Sequence, residues 1–331
     1  MLKKEKIKML FAMAAIILFT VGFFAGCLGG DEPKKGKIRY GGQYYPEEFL
    51  LKGYDFWSIY DIDVEHVLFS SGSENNQALI SGEVDINCGS DSKTVELFNA
   101  MPNDVVIIGT IQKGDRYSTV VKADSDYQTW EDLKGKTVGT RLGTGAEQVL
   151  LRYFEMEDNL SWDDFDWVNL NIEDMISALD AGTIQAFTAW EPTPGIAEAQ
   201  GVGRILRTYG DIALVPVSLH TTLDYVKNHR EDIVKFLAAH LDKVEMIETD
   251  PEGAAELAAQ AASESGNVVS ADAFLKIFER INFSIDFNDE VLASINDTAQ
   301  FLYDQGKIDT IPTIRADKSL LIEAIELKES S

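Results

Sequence analysis

The chain has 331 residues and is 45% hydrophobic, enough to build two domains or one bilobed unit around a sizeable core. Its formal net charge of −26 excludes a nucleic-acid binder as a working reading, because phosphate backbones are held by clustered cations. That charge says little about a small ligand, since net charge acts mainly on solubility and non-specific contacts.

Lys3, Lys4, Lys6 and Lys8 precede an apolar run from Met9 to Phe24. A basic segment followed by such a run predicts export, and the run is short for a membrane span. "FFAGCLGG" then sets Ala25 and Gly26 before Cys27, a small-small-Cys order similar to a lipobox, with Phe24 where leucine is more usual. On that reading residues 1–26 are a lipoprotein-type signal peptide, Cys27 carries a lipid, and residues 27–36 are a flexible tether. An ordinary signal peptide or an N-terminal anchor helix would also leave the remainder outside the cytoplasmic membrane. Loss of residues 1–26, which hold four lysines and one glutamate, would take the net charge to −29. Besides Cys27 the chain has only Cys88, so no internal disulfide is available, and Cys88 reads as a small buried residue.

From Lys37 to His220 short apolar runs alternate with helical patterns. "KIRYGG" and "DVEHVLFS" predict strands, and "SENNQALISG" a short helix stopped at Gly82. "EVDINCGS", "DVVIIGTI" and "YSTVVK" predict strands, with the helix "SKTVELFNAM" after the first of them. "WEDLKGKTVGT" predicts a turn of helix and a strand, "GAEQVLLRYFEM" a helix, and "DFDWVNLN" a strand. "IEDMISALDAG" predicts a helix closed by Gly182, followed by the strands "IQAFTAW", "RILRTYG" and "ALVPVSLH". Such alternation argues for parallel or mixed α/β sheets. "SGEVDIN" and "AGTIQAF" occupy equivalent places in the two halves, although no longer repeat is convincing. The last hundred residues are a helical tail, with starts marked by Asp250-Pro251, Ser270 and Asn288 and a stop at Gly306.

Two nucleotide motifs fail on their own terms. "KGKT" at Lys134–Thr137 lacks the phosphate loop's first glycine, since that position is Trp130, and its strand follows instead of preceding. "GTGAEQ" has Gln148 where the dinucleotide fingerprint needs its third glycine. An anion seat at Gly143, Thr144, Gly145 and Ala146 survives, because the first amides of a helix lack internal partners and carry partial positive charge. Arg141 could add a full charge, and the same residues equally suit an ordinary capped β–α loop. Ser90 and Asp91 begin a second strand–turn–helix unit, where plain N-capping also explains them. Gln43, Tyr44 and Tyr45 end the first strand, and Trp190 and Glu191 end another, with Trp190 either walling a cleft or packing. Open α/β sheets bind ligands beyond the carboxyl ends of their strands, so these loops suggest a cleft between two lobes. His66, His220, His229 and His240 show no metal spacing and no catalytic triad, so no metal, cofactor or catalytic residue is expected.

"GKIRYGGQ", "LISGEVDIN", "WEDLKGKTVGTRLGTGAEQVLL" and "LDAGTIQAFTAWEP" stand in that order between Lys37 and His240. As a set they resemble the substrate-binding components of transporters for taurine, aliphatic sulfonates, nitrate and thiamine pyrimidine precursors. The resemblance implies a two-lobed type II periplasmic binding protein fold, two mixed α/β lobes around a cleft with a helical C-terminal tail. It implies lobe 1 at residues 37–120 plus 216–331 and lobe 2 at 121–215, with crossings near Thr119–Lys122 and Ala213–Val217. It also implies that the ligand head group meets the turn at Gly143–Ala146, with the first-strand loop and the loop at Ser90 contributing from the other lobe. Thr144 stands in place of the family's usual serine there. Nitrate binders tend to carry a histidine where this chain has Glu147 and Gln148, and the related iron-dependent pyrimidine synthase carries a cysteine cluster that is absent here.

The resulting expectation is a lipid-anchored, monomeric extracytoplasmic solute receptor of an ABC importer, not an enzyme. It would bind a small organic anion such as a sulfonate and deliver it to a membrane permease driven by an ATPase. One alternative keeps the fold and binds a pyrimidine, thiamine or flavin precursor, stacked on Tyr44, Tyr45 and Trp190 and read by Glu191 or Asp91. Another is a cofactor-free lyase of the same fold.

Overall fold

The computed structural model describes residues 37–266 and 268–330; the expected signal segment, Cys27 and the tether lie outside them. The first lobe opens with β1 (Lys37–Gln43), α1 (Pro46–Gly53), α2 (Phe56–Ile59), β2 (Asp63–Phe69) and α3 (Gly72–Ser81). It continues through β3 (Ile86–Ser90), α4 (Asp91–Ala100) and β4 (Val105–Gln112). The second lobe holds β5 (Tyr117–Lys122), β6 (Thr137–Thr140), α5 (Gly145–Met156), β7 (Asp166–Asn169) and α6 (Ile172–Asp180), then β8 (Ala186–Trp190), α7 (Thr193–Ala199) and β9 (Gly203–Thr208). The chain returns as β10 (Val217–Thr222) and ends in helices α8 (Leu223–Asn228), α9 (Arg230–Thr249), α10 (Pro251–Glu264), α11 (Ala271–Arg280), α12 (Asp289–Asp304) and α13 (Lys318–Ser330).

The two sheets have the same plan. The first runs β2-β1-β3-β10-β4 and the second β7-β6-β8-β5-β9. In each, the three leading strands are parallel and the fourth strand, β10 or β5, is antiparallel to both of its neighbours and directly follows a crossing. The matching phrases "SGEVDIN" and "AGTIQAF" thus lead into β3 and β8, the central strands of their sheets. Helix ends follow local chemistry: Gly82 closes α3 in the left-handed conformation at φ 74°, and the Ser71, Thr144, Ser270 and Asn288 side chains cap α3, α5, α11 and α12.

The sheets relocate the first crossing. Tyr117–Lys122 pairs with β8 and β9, so the chain leaves the first lobe at 113–116, not at Thr119–Lys122, and the second lobe takes the residues from 117 onward. The β-branched run of β5 is one unbroken strand, and the bend falls just before it, at Gly114 with φ 84°. The return spans 209–216 and includes the expected Ala213. The two crossings touch, through the Gly114 amide donating to the Leu214 carbonyl at 2.7 Å and the Gly210 amide to Asp115 Oδ1 at 2.5 Å. Helix α1 was hidden in a segment read as a ligand loop; Pro46 starts it directly after Tyr45.

The second lobe's core is aromatic. Trp130 packs edge-on against Phe154 and Phe165, and its indole N–H donates to the Tyr209 hydroxyl at 3.1 Å. Tyr209 in turn bonds Thr119 at 2.5 Å, which fixes the start of the return crossing against β5. Trp130→Ala should cost about 3–5 kcal/mol, the range for deleting a large buried aromatic. Urea unfolding of the variant checks this, and a loss under about 1 kcal/mol would show that this cluster does not anchor the lobe.

Candidate functional site

The carboxyl ends of β1 and β3 face those of β6 and β8 across the seam between the lobes. A cavity of about 460 Å³ opens there, with Gln43, Tyr44 and Phe49 from the first lobe facing Ile172, Trp190 and Ile196 from the second. Tyr44 is 42% exposed, whereas Gln43 is buried and donates to the Cys88 carbonyl at 3.2 Å. Trp190 lines the cavity and also meets Tyr117 edge-on at 6.5 Å between ring centroids, so it both walls and packs.

Ser90 and Asp91 lie deeper and are buried. Ser90 shares a hydroxyl contact with Ser92 at 3.1 Å. Asp91 accepts from the Ser92 amide at 2.8 Å, from the Thr298 hydroxyl at 2.6 Å and from Gln148 Nε2 at 3.2 Å. Burial raises the Asp91 carboxyl above its ordinary value, and those three hydrogen bonds offset part of the rise. Because Gln148 belongs to α5 and Thr298 to α12, Asp91 links both lobes and the tail.

The turn before α5 is already furnished with its own partners. The Gly143 amide donates to Glu147 Oε2 at 2.7 Å, the Thr144 hydroxyl donates to the Arg141 carbonyl at 2.6 Å, and the same oxygen accepts from the Ala146 amide at 3.3 Å. Gly143 faces solvent, while Gly145 and Ala146 are buried. A Cβ on Gly145 would lie 2.1 Å from the Tyr117 hydroxyl oxygen, so close packing on Tyr117 dictates glycine here. Arg141 is half-buried and does not line the cavity.

Glu191 is buried and accepts from the Gly195 amide at 2.9 Å and from Arg280 Nη1 at 2.5 Å. Arg280 also reaches Glu198 at 3.2 Å, so helix α11 of the tail grips α7 of the second lobe. Glu191 therefore faces this seam and not the cavity. Burial pushes its carboxyl up from 4.5 to about 7, against the pull of Arg280.

The structure adds Arg116, for which the sequence pattern gives no role. It is 1% exposed, and its guanidinium lies 5.2 Å from the Tyr45 ring centre and 4.6 Å from that of Tyr117. None of its three side-chain nitrogens makes a hydrogen bond. An arginine one residue ahead of a strand carries no signal of this burial, which depends on Tyr45 some seventy positions earlier. Among the described residues no group of three or more His, Cys, Asp and Glu could hold a metal ion.

The family model described as NMT1/THI5 like matches residues 52–254, more than half of the chain. The chain belongs to this family. A relative from Bacillus subtilis (strain 168), named "Putative aliphatic sulfonates-binding protein", is 24% identical over 328 residues, covering 96% of this chain and 97% of that one. The match to another protein of that strain, "Putative binding protein YtlA", is also 24% identical but spans 59% of this chain and 60% of the relative. The alkanesulfonate-binding protein SsuA from Xanthomonas axonopodis pv. citri, solved bound to MOPS, superposes with a TM-score of 0.70 at 20% identity, covering 87% of this chain and 97% of that one. This NMT1/THI5-like chain thus has the type II periplasmic binding protein fold, and its homologues are solute-binding proteins.

Two predictions follow from this geometry. Gly145→Ala forces a methyl into the Tyr117 hydroxyl and should destabilise the protein by about 1–3 kcal/mol, as overpacking does. Calorimetric unfolding decides it, and an unchanged melting temperature would mean Tyr117 yields freely. Native Glu191 keeps its proton to about pH 7, while the unfolded residue releases it near 4.5. Its contribution to stability is therefore full below pH 4.5 and declines as pH rises to 7. The stability difference between wild type and Glu191→Gln should shift against wild type by on the order of 2 kcal/mol between pH 5 and pH 8. A pH-independent difference in urea titrations would contradict this.

Proposed function

We propose that the protein is the extracytoplasmic solute-binding component of an ABC importer, anchored through lipidated Cys27, and that it captures a small organic anion such as a sulfonate. The observation that carries this reading is the inter-lobe cavity, to which both lobes contribute walls. A ligand that touches both walls binds the closed arrangement better than the open one and shifts the population towards closure. The closed monomer would then present both lobes to a membrane permease powered by an ATPase. Ile172, Ile176, Trp190 and Ile196 give the second-lobe wall an apolar character suited to the carbon body of an organic acid. The names of the relatives, which include sulfonate binders, support the same class.

A second reading keeps the receptor and changes the ligand to a pyrimidine or flavin precursor. It draws on Tyr44 and Trp190, aromatic rings that the first and second lobes contribute to the cavity lining, which also includes Glu173. Thermal unfolding in the presence of alkanesulfonates, taurine, nitrate, dicarboxylates, and pyrimidine and flavin precursors separates the two. A ligand at a hundred times its Kd adds about 2.7 kcal/mol to the folded state, a shift that is readily measured. Stabilisation by sulfonates, weakened at least tenfold in affinity by Trp190→Ala, is the expected result. Stabilisation by heterocycles alone would replace the anion with the second ligand class.

A further inference from the structure

We infer that the charged head of the ligand is received by Arg116, the Tyr117 hydroxyl and Ser90, which are buried behind the cavity wall at Trp190 instead of lining it, with the apolar body extending past Trp190 into the cavity. The inference rests on the anion-receptor reading and names the groups that would take the charge. A guanidinium carries five N–H donors in one plane. In Arg116 all three nitrogens are buried and unbonded, which is a costly state for a charged group unless a partner arrives. The guanidinium carbon lies over the Tyr45 and Tyr117 rings, and the Tyr45 hydroxyl is near enough to act on its charge, although no nitrogen of Arg116 has a hydrogen bond of good geometry.

The acidic groups nearby do not serve as that partner. Asp91 is close enough to act on the charge of Arg116, but its oxygens are engaged by Ser92, Thr298 and Gln148. Glu47 also feels Arg116, yet neither of its carboxylate oxygens accepts a hydrogen bond. Burial raises the Glu47 carboxyl to about 8, which lowers the negative charge that an incoming anion would meet.

Around Arg116 the donors converge. The Tyr117 hydroxyl is near enough to Ser90, just before α4, for the two to act on each other, and it lies against Gly145, at the start of α5. The first residues of two helices, Ser90 before α4 in one lobe and Gly145 of α5 in the other, therefore lie beside the same hydroxyl. Burial pushes the Tyr117 hydroxyl up to about 12, so it remains a neutral donor at physiological pH. The Gln112 side-chain amide, whose strand shares Val217 as a neighbour with Ser90, is also buried without a partner. An anionic oxygen set between Arg116 and the Tyr117 hydroxyl would be held by charge-assisted hydrogen bonds.

The test is isothermal titration of the full-length protein in detergent with butane-1-sulfonate, comparing wild type with Arg116→Gln, Arg116→Lys and Tyr117→Phe. Arg116→Gln should weaken binding by roughly 30-fold or more, Arg116→Lys by less because the charge remains without the fork, and Tyr117→Phe by a few-fold. Sulfonate binding by Arg116→Gln within threefold of wild type overturns the assignment and leaves the anion-receptor reading standing. Wild type that binds a neutral pyrimidine but no sulfonate overturns both. Where Arg116→Gln fails to fold by circular dichroism, the other two variants decide. Weakened affinity in both supports the seat, and wild-type affinity in either overturns it.

Discussion

Three parts of the molecule meet at one buried carboxylate. Asp91 opens α4 in the first lobe, Gln148 sits in α5 of the second, and Thr298 lies midway along α12 of the tail. Asp91 Oδ2 accepts from both of the latter, at 3.2 Å and 2.6 Å, and Oδ1 takes the amide of Ser92. Removing any one donor would leave a buried charge short of partners, which costs more than the net worth of the bond. The approach of the lobes and the docking of the tail are therefore interdependent, and α12 is a structural member of the cleft instead of an appendage.

The saturation of Asp91 has a consequence for its neighbour. Arg116 and Asp91 are close enough to stabilise each other's charge through space, yet no hydrogen bond joins them. A direct ion pair would have spent the guanidinium's donors inside the protein. Diverting Asp91 to Thr298 and Gln148 keeps those donors available while still supplying a compensating field. The seam between tail and second lobe is built otherwise, from the Arg280 hydrogen bond to Glu191 and the ion pairs Arg280–Glu198, Arg152–Asp297 and Lys307–Glu147.

Much of this was legible in the sequence, for local reasons. Strand and helix periodicity gave both sheets, and Gly82, Thr144, Ser270 and Asn288 marked helix ends through chemistry that acts within four residues. The paired phrases "SGEVDIN" and "AGTIQAF" reported a symmetry of topology that is invisible in overall identity. What stayed hidden depends on long-range packing. The turn at Gly143 looks like an open anion seat until Glu147 folds back onto its amide, a choice the sequence allows but does not force. Glu191 follows Trp190 directly, yet the two face different ways: Trp190 towards the cavity and Glu191 towards Arg280, which is 89 positions away. The first crossing was misplaced because β5 belongs to the second sheet by hydrogen bonding, and a strand's choice of sheet is not encoded in its own residues.

The polar character of the seam bears on how such a receptor switches. Partly exposed ion pairs contribute about 0–1 kcal/mol each, because water and salt screen them and long side chains lose freedom in making them. Lys307–Glu147 and Arg152–Asp297 have one partner each well exposed and belong in that range. Contacts of this kind guide the lobes into register without locking them. Reversing a two-state balance from 1:99 to 99:1 takes about 5.5 kcal/mol of differential binding. A micromolar ligand has about 8 kcal/mol available in total, so most of its interaction must be realised only in the closed form. Arg116, buried against Tyr45 of one lobe and Tyr117 of the other, fits that condition, because its surroundings draw on both lobes. The exposed rim at Tyr44 does not meet it, since that ring is already in solvent and gains little from closure.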